Sequence, residues 1–239
     1  MSSTECEAVK YIQLMERRRF FLLGGAALAA TFLGRREIFA EEDSILLMNP
    51  KDALEEGWSE KAFGSRTIYS KARIGANVLV RATSRGGASG LFHETQYDCF
   101  KYPWLEWTWQ ADRVHQLADI RSKEREDYTA SILFLFGQPS FMRPKVDTLG
   151  YVWTSERTAI GEIISSPLHP ELHKSIVLQS GTAWSGEEVV ERRNIVRDYE
   201  LAFKRRLRGN VAVIALWTDS DQTREEVEAY YGPIWARRA

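Results

Sequence analysis

The sequence predicts a β-sandwich with one helix passing between its layers. Three observations lead there. Short apolar or alternating runs recur from residue 67 to the C-terminus, with Gly, Asn and Pro turn signals between them. Only the stretch 185–206 carries apolar residues at helical spacing. The strand-like runs are not separated by regular helices, as an alternating β-α order would require.

Composition narrows the function classes. The chain has 239 residues and a net charge of −1, so no global basic field draws it to nucleic acid. Residues 1–40 read as a secretory signal. Arg17-Arg18-Arg19 is followed by the uncharged run Phe20 to Leu33, then Ile38-Phe39-Ala40. That run is shorter than the ~20 apolar residues a membrane-spanning helix needs. Arg17-Arg18-Arg19-Phe20-Phe21 fits the twin-arginine pattern of two Arg, any residue, then two apolar residues. The expected product is a single exported, periplasmic domain over 44–239, with no transmembrane span once the signal is removed. Cys6 leaves with the signal. Cys99 then has no internal disulfide partner and is expected to be a buried structural thiol.

The elements follow in order. Thr67-Ile68-Tyr69 and Val78 to Ala82 flank Gly75-Ala76-Asn77 and predict a hairpin. Arg85-Gly86-Gly87 breaks the chain before Ser89 to His93. In WLEWTWQ, period two puts Leu105, Trp107 and Trp109 on one face, expected to be core. Trp104, Glu106, Thr108 and Gln110 take the polar face. Ser131 to Phe136 is apolar on both faces and predicts a central strand. Gly150 to Trp153, Ser175 to Gln179 and Val211 to Trp217 are further strands. Tyr231 to Arg237 closes the sheet, with Pro233 calling for an edge or a bulge. The helix is expected to open at Ser185-Gly186-Glu187-Glu188. Its stripe is Val189, Ile195, Val196, Tyr199 and Phe203, and Lys204-Arg205-Arg206 stand near its end.

Several of these stretches resemble the family catalogued as domain of unknown function 3047. They are Asn77 to Ser84, Ala88 to Leu91, Pro103 to Trp109, Glu126-Asp127-Tyr128, Glu191 to Asn194 with Asp198-Tyr199, Trp217 to Thr223, and Tyr230-Tyr231-Gly232. The resemblance implies a bacterial, commonly exported protein with no established activity. It also implies a jelly-roll sandwich similar to carbohydrate-binding modules and galactose-binding-like domains. Glu126 stands where the family usually has Asp, and Gln222 where it often has Asn.

Candidate site residues fall in four groups. Asp219 and Asp221 flank Ser220 after a strand and could offer oxygens to a hard cation such as Ca²⁺, or cap backbone N–H groups in a turn. Asp127 and Tyr128 join them if the loops meet at one end of the sandwich. Asn194 and Asp198, four apart, share a helix face, with Arg193 pointing elsewhere. Trp104, Tyr151, Trp153 and Trp184 could stack on sugar rings, against the alternative that they fill the core. His169 and His173 have ligand-like spacing, but Pro167 and Pro170 place them in a loop. No nucleophile elbow, P-loop or dinucleotide glycine pattern is present. The expected function is that of a non-catalytic cell-envelope protein that binds a glycan or other polar ligand. The alternatives are a hydrolase working through Asp127, Asp219 or Asp221, and an assembly partner for another envelope protein.

Overall fold

A computed structural model describes residues 43–55, 57–137 and 146–239. The signal segment and the twin-arginine pattern lie outside the described residues. Among the described residues, thirteen strands and one helix run in chain order: β1 (Ser44–Met48), β2 (Trp58–Ala62), β3 (Ile68–Ile74), β4 (Asn77–Arg85), β5 (Ala88–Tyr97), β6 (Trp104–Arg113), β7 (Ala130–Phe136), β8 (Asp147–Thr154), β9 (Ile163–Ser165), β10 (His173–Ser180), β11 (Val189–Asn194), α1 (Ile195–Phe203), β12 (Val211–Asp219) and β13 (Glu226–Arg237).

They form two sheets. One has the order β11-β6-β13-β4-β3, with β1 added against β13; the other runs β2-β5-β12-β7-β8-β10-β9. Every strand pairing is antiparallel except β8 with β10. This is a jelly-roll-type β-sandwich, and α1 carries the chain from β11 in the six-stranded sheet to β12 in the seven-stranded one.

Alternation explains the layers. On β6, Leu105, Trp107 and Trp109 are buried while Trp104, Glu106 and Thr108 stay half-buried, as period two requires. The inward rings meet those of β8. Trp107 lies 5.1 Å from Tyr151 and Trp109 lies 6.0 Å from Trp153, centroid to centroid. Offset and edge contacts of this kind add to plain area burial. β7 is buried on most of its length and sits fourth of the seven strands, the central place its continuous apolar run predicts. Gly75 (φ 58) supplies the left-handed turn of the β3–β4 hairpin. Cys99 is fully buried, and burial pushes its thiol up to about 12, as suits a structural residue.

Three expectations need correction. The helix is half as long as predicted. Val189–Asn194 is a strand, with Val189 opposite Trp109, Glu191 opposite Trp107 and Arg193 opposite Leu105. Pairing with β6 wins over helical spacing there, because a strand at this edge extends the sheet over the core. The helix then begins after Asn194, whose side chain accepts from the backbone N–H of Arg197, and it stops at Lys204 in a left-handed conformation. Next, β13 is interior rather than closing an edge, since it pairs with both β4 and β6. Pro233 is accommodated by the other device, a bulge between Tyr231 and Ile234. Last, Tyr151 and Trp153 are fully buried and cannot meet a ligand. The Trp153 indole N–H is used on the carbonyl of Gly181 at 3.0 Å.

Candidate functional site

The site is built at the end of β12. Its alternation sends Ile214, Leu216 and Thr218 inward and Trp217 and Asp219 to the outer face of the seven-stranded sheet. Asp127 stands just before β7, the neighbour of β12. Its carboxylate accepts the backbone N–H of Gln222 (3.2 Å) and of Thr223 (2.6 Å). Asp219 Oδ1 accepts the N–H of Tyr128 at 2.7 Å, and the Asp219 N–H returns to the Tyr128 carbonyl at 3.2 Å. Two loops distant in sequence are therefore stitched together by buried carboxylates, each capping main-chain donors.

The electrostatics follow from crowding. Asp127, Asp219 and Asp221 each offer a carboxylate oxygen within 4.8 Å of the others. Burial, then the charge of Asp127, holds the Asp219 carboxyl well above its ordinary range. The same two causes raise Asp221 to about 6. Glu126, on the other side of Asp127, is 6% exposed and accepts the Tyr128 hydroxyl at 2.9 Å. Burial lifts it to about 7 against the hydrogen bonds from Ser166 and Tyr128. His115 is buried nearby with its ring Nδ1 2.9 Å from Thr129 Oγ1, and burial lowers its basicity while Asp127 opposes the shift.

Beside these carboxyls lies an aromatic group. Trp217 pairs across the ladder with Gly90 of β5. Its ring stands 5.4 Å from Phe63 (interplanar angle 48°) and 6.3 Å from Phe92 (80°). All three rings are half-buried. Trp217 also packs against a small cluster of Ile120, Tyr128, Val152, Ile164 and Val177, separate from the main core. Lys61 Nζ sits 5.3 Å above the Phe63 ring. The arrangement puts half-buried ring surface, the Lys61 ammonium and the half-buried Asp221 carboxyl on the outer face of the seven-stranded sheet, with Asp127, Asp219 and Glu126 buried beneath them. Such a surface can stack on an apolar ligand face and hydrogen-bond its polar rim.

The sequence-derived residues do not form one site. Asp127, Tyr128, Asp219 and Asp221 come together as described. Trp104 lies elsewhere, on the outer face of the six-stranded sheet, with the Arg192 guanidinium 5.0 Å over its ring. Trp184 is exposed in the turn before β11. Arg193 does not point away from Asp198. It grips it through Nε–Oδ2 (2.9 Å) and Nη2–Oδ1 (2.7 Å), while the Tyr151 hydroxyl donates to Oδ2 at 2.8 Å. A strand-to-helix bend places them together, which a continuous helix would not. Asn194 serves as the helix cap. Among the described residues, His169 and His173 join no group of three metal-ligating side chains. Trp217, Gly90, Phe63, Phe92 and Glu126 are the site residues that sequence reasoning missed. For Trp217 a signal existed: it is out of phase with Ile214 and Leu216 and in phase with Asp219.

Residues 56–235 match the family described as "Protein of unknown function (DUF3047)", and the chain belongs to that family. No curated protein matches the sequence. Among solved structures, the chain is similar to the family 11 carbohydrate-binding module from Clostridium thermocellum in complex with a β-1,3-1,4-mixed-linked tetrasaccharide. That match has 10% identity, a TM-score of 0.45, and covers 82% of this chain and 96% of that one. It is also similar to the xyloglucanase domain of NopAA from Sinorhizobium fredii (7% identity, TM-score 0.42, 76% and 93% covered). A third is the family 11 xylanase from Neocallimastix patriciarum (9% identity, TM-score 0.37, 82% and 93% covered).

Proposed function

We propose that this is an exported, periplasmic protein that binds a glycan of the cell envelope on the outer face of its seven-stranded sheet. The observation that carries the reading is the contact group of Phe63, Phe92 and Trp217, half-buried on the outer face of the sheet beside the half-buried Asp221 carboxyl. Stacking rings next to polar groups is the chemistry a sugar needs, with apolar C–H faces and hydroxyl edges served together. The test is a glycan array followed by affinity electrophoresis in polysaccharide gels, with wild type and Trp217→Ala. Retardation that Trp217→Ala abolishes supports the proposal. Equal mobility of the two proteins in every gel overturns it.

A hydrolase is the second reading, and Glu126 favours it. A buried carboxyl held near neutrality has the character of a general acid. Release of reducing ends that Glu126→Gln stops would replace binding with turnover. The three aspartates supply hard oxygen donors suited to Ca²⁺, although both oxygens of Asp127 already accept backbone N–H groups. Thermal melts with CaCl₂ and with chelator separate a cation site from a turn held by hydrogen bonds alone.

A further inference from the structure

We infer that Gly90 is a positioning residue for the ring of Trp217, and that the ring so held takes a β-linked pyranose chain with equatorial substituents. The inference rests on the glycan-binding reading above and deepens it. Gly90 lies inside β5, directly opposite Trp217 in the ladder. A glycine within a strand is unfavourable relative to alanine, because it loses more conformational freedom on folding. Its backbone is not in the left-handed region, since Gly90 is not among the residues of positive φ. Chain conformation therefore does not require it, and space does. A Cβ at this position would come 2.6 Å from Trp217 Cε3, 3.1 Å from the Leu216 carbonyl oxygen and 3.1 Å from Phe92 Cε2. The six-membered part of the indole thus lies down on the sheet in the room that the missing side chain leaves. With alanine there, the ring must rise or tilt.

The flanking rings fit that role. Phe63 and Phe92 are turned 48° and 80° from the indole plane, so neither lies parallel against it. Trp217 keeps part of its flat ring surface open on the outer face of the sheet. A pyranose whose substituents are all equatorial presents a level C–H face to such a surface. An axial group on the contacting side would hold the sugar off it. A β-1,4 chain of such sugars offers this face repeatedly.

The experiment is calorimetric titration of cellohexaose into wild type, Gly90→Ala, Trp217→Ala, Trp217→Phe and the double variant Gly90→Ala/Trp217→Phe. Thermal melts verify folding for each. Wild type is expected to bind. Trp217→Ala and Gly90→Ala should each weaken binding about tenfold or more. In the Trp217→Phe background, which lacks the crowded Cε3, adding Gly90→Ala should change affinity less than twofold. This coupling is the readout a merely structural glycine would not give, and the phenyl background remains informative if Gly90→Ala alone folds poorly. Wild-type affinity in Gly90→Ala, or equal losses in both backgrounds, overturns the positioning role. Absence of cellohexaose binding, with another glycan bound in a Trp217-dependent way, overturns the ligand class and leaves the glycan reading standing. Unchanged glycan binding by Trp217→Ala overturns that reading itself.

Discussion

A buried carboxylate that accepts two backbone N–H groups does work that no neutral side chain of its size repeats, and Asp127 is in that position. Asp127→Ala would leave the amides of Gln222 and Thr223 without an acceptor. Each orphaned donor costs about 1–3 kcal/mol, so a loss of roughly 2–4 kcal/mol in urea denaturation is expected. Glu126 acts in the opposite sense. Its folded value, about 7, lies above the ordinary 4.5, so the fold prefers the protonated acid. For a raised carboxyl, the stabilising contribution is full below the unfolded value. It is lost as pH rises through the folded one, here between pH 4.5 and about 7. Asp221, raised to about 6, adds the same sign over a narrower window. Glu126 should therefore contribute a decline on the order of 3 kcal/mol across this range. Half-buried His173, which desolvation lowers to about 4, contributes in the opposite sense as pH rises towards 6.5. Glu126→Gln, which is neutral at every pH, should flatten that part of the curve in melts from pH 4.5 to 8. A decline unchanged in Glu126→Gln would assign it to other groups.

The strand-to-helix bend at Asn194 shows what the sequence makes legible and what it hides. Runs with clean period two could be read directly: β6, the β3–β4 hairpin, and the central β7 with its two apolar faces. Where two periods compete, the reading failed. Val189, Ile195, Val196, Tyr199 and Phe203 fit a helical stripe, yet Val189, Glu191 and Arg193 equally fit a strand, and only the presence of β6 alongside decides. The short strands β1, β2 and β9 were missed for a related reason, since edge strands carry little alternation to detect. At the site, Asp219 and Asp221 were legible as carboxylates after a strand end, but their donors were not. Asp219 accepts the distant Tyr128 N–H and Asp221 the Gln222 side-chain amide, not donors of a local Asx turn. The meeting with Asp127 was not legible either, because it depends on β12 lying beside β7. The Arg193–Asp198–Tyr151 contact likewise needs the bend. It ties β11, α1 and β8, so it joins both sheets through one helix. Arg193→Ala would leave the Asp198 carboxylate, 6% exposed, without its cation. The expected cost is about 3–5 kcal/mol. Arg193→Ala combined with Asp198→Asn should recover part of it, measured as a double-mutant cycle.

The first and last strands of the described chain are partners. Ser44 of β1 faces Arg237 of β13, and Asp219 of β12 faces Ala88 of β5. Most of the ladder pairs residues far apart in sequence, and such topologies close slowly, because loop entropy is lost before the distant contacts form. The six-stranded sheet cannot be completed until β13 has been made. The described residues also hold a free, buried Cys99 and no disulfide that an oxidising compartment would have to form. Under the export proposed above, the Arg17-Arg18-Arg19-Phe20-Phe21 pattern is of the type read by a route that carries folded chains. Replacing Arg17 and Arg18 by Lys keeps the charge and alters only the pattern. The expected result in a bacterial host is an unprocessed precursor that accumulates in the cytoplasm, resists protease, and melts at the temperature of the exported protein. Normal export of that variant, combined with its loss on blocking the general secretory channel, would show that the chain crosses unfolded. The sheets would then have to assemble in the periplasm, from a chain whose first described strand waits for the last.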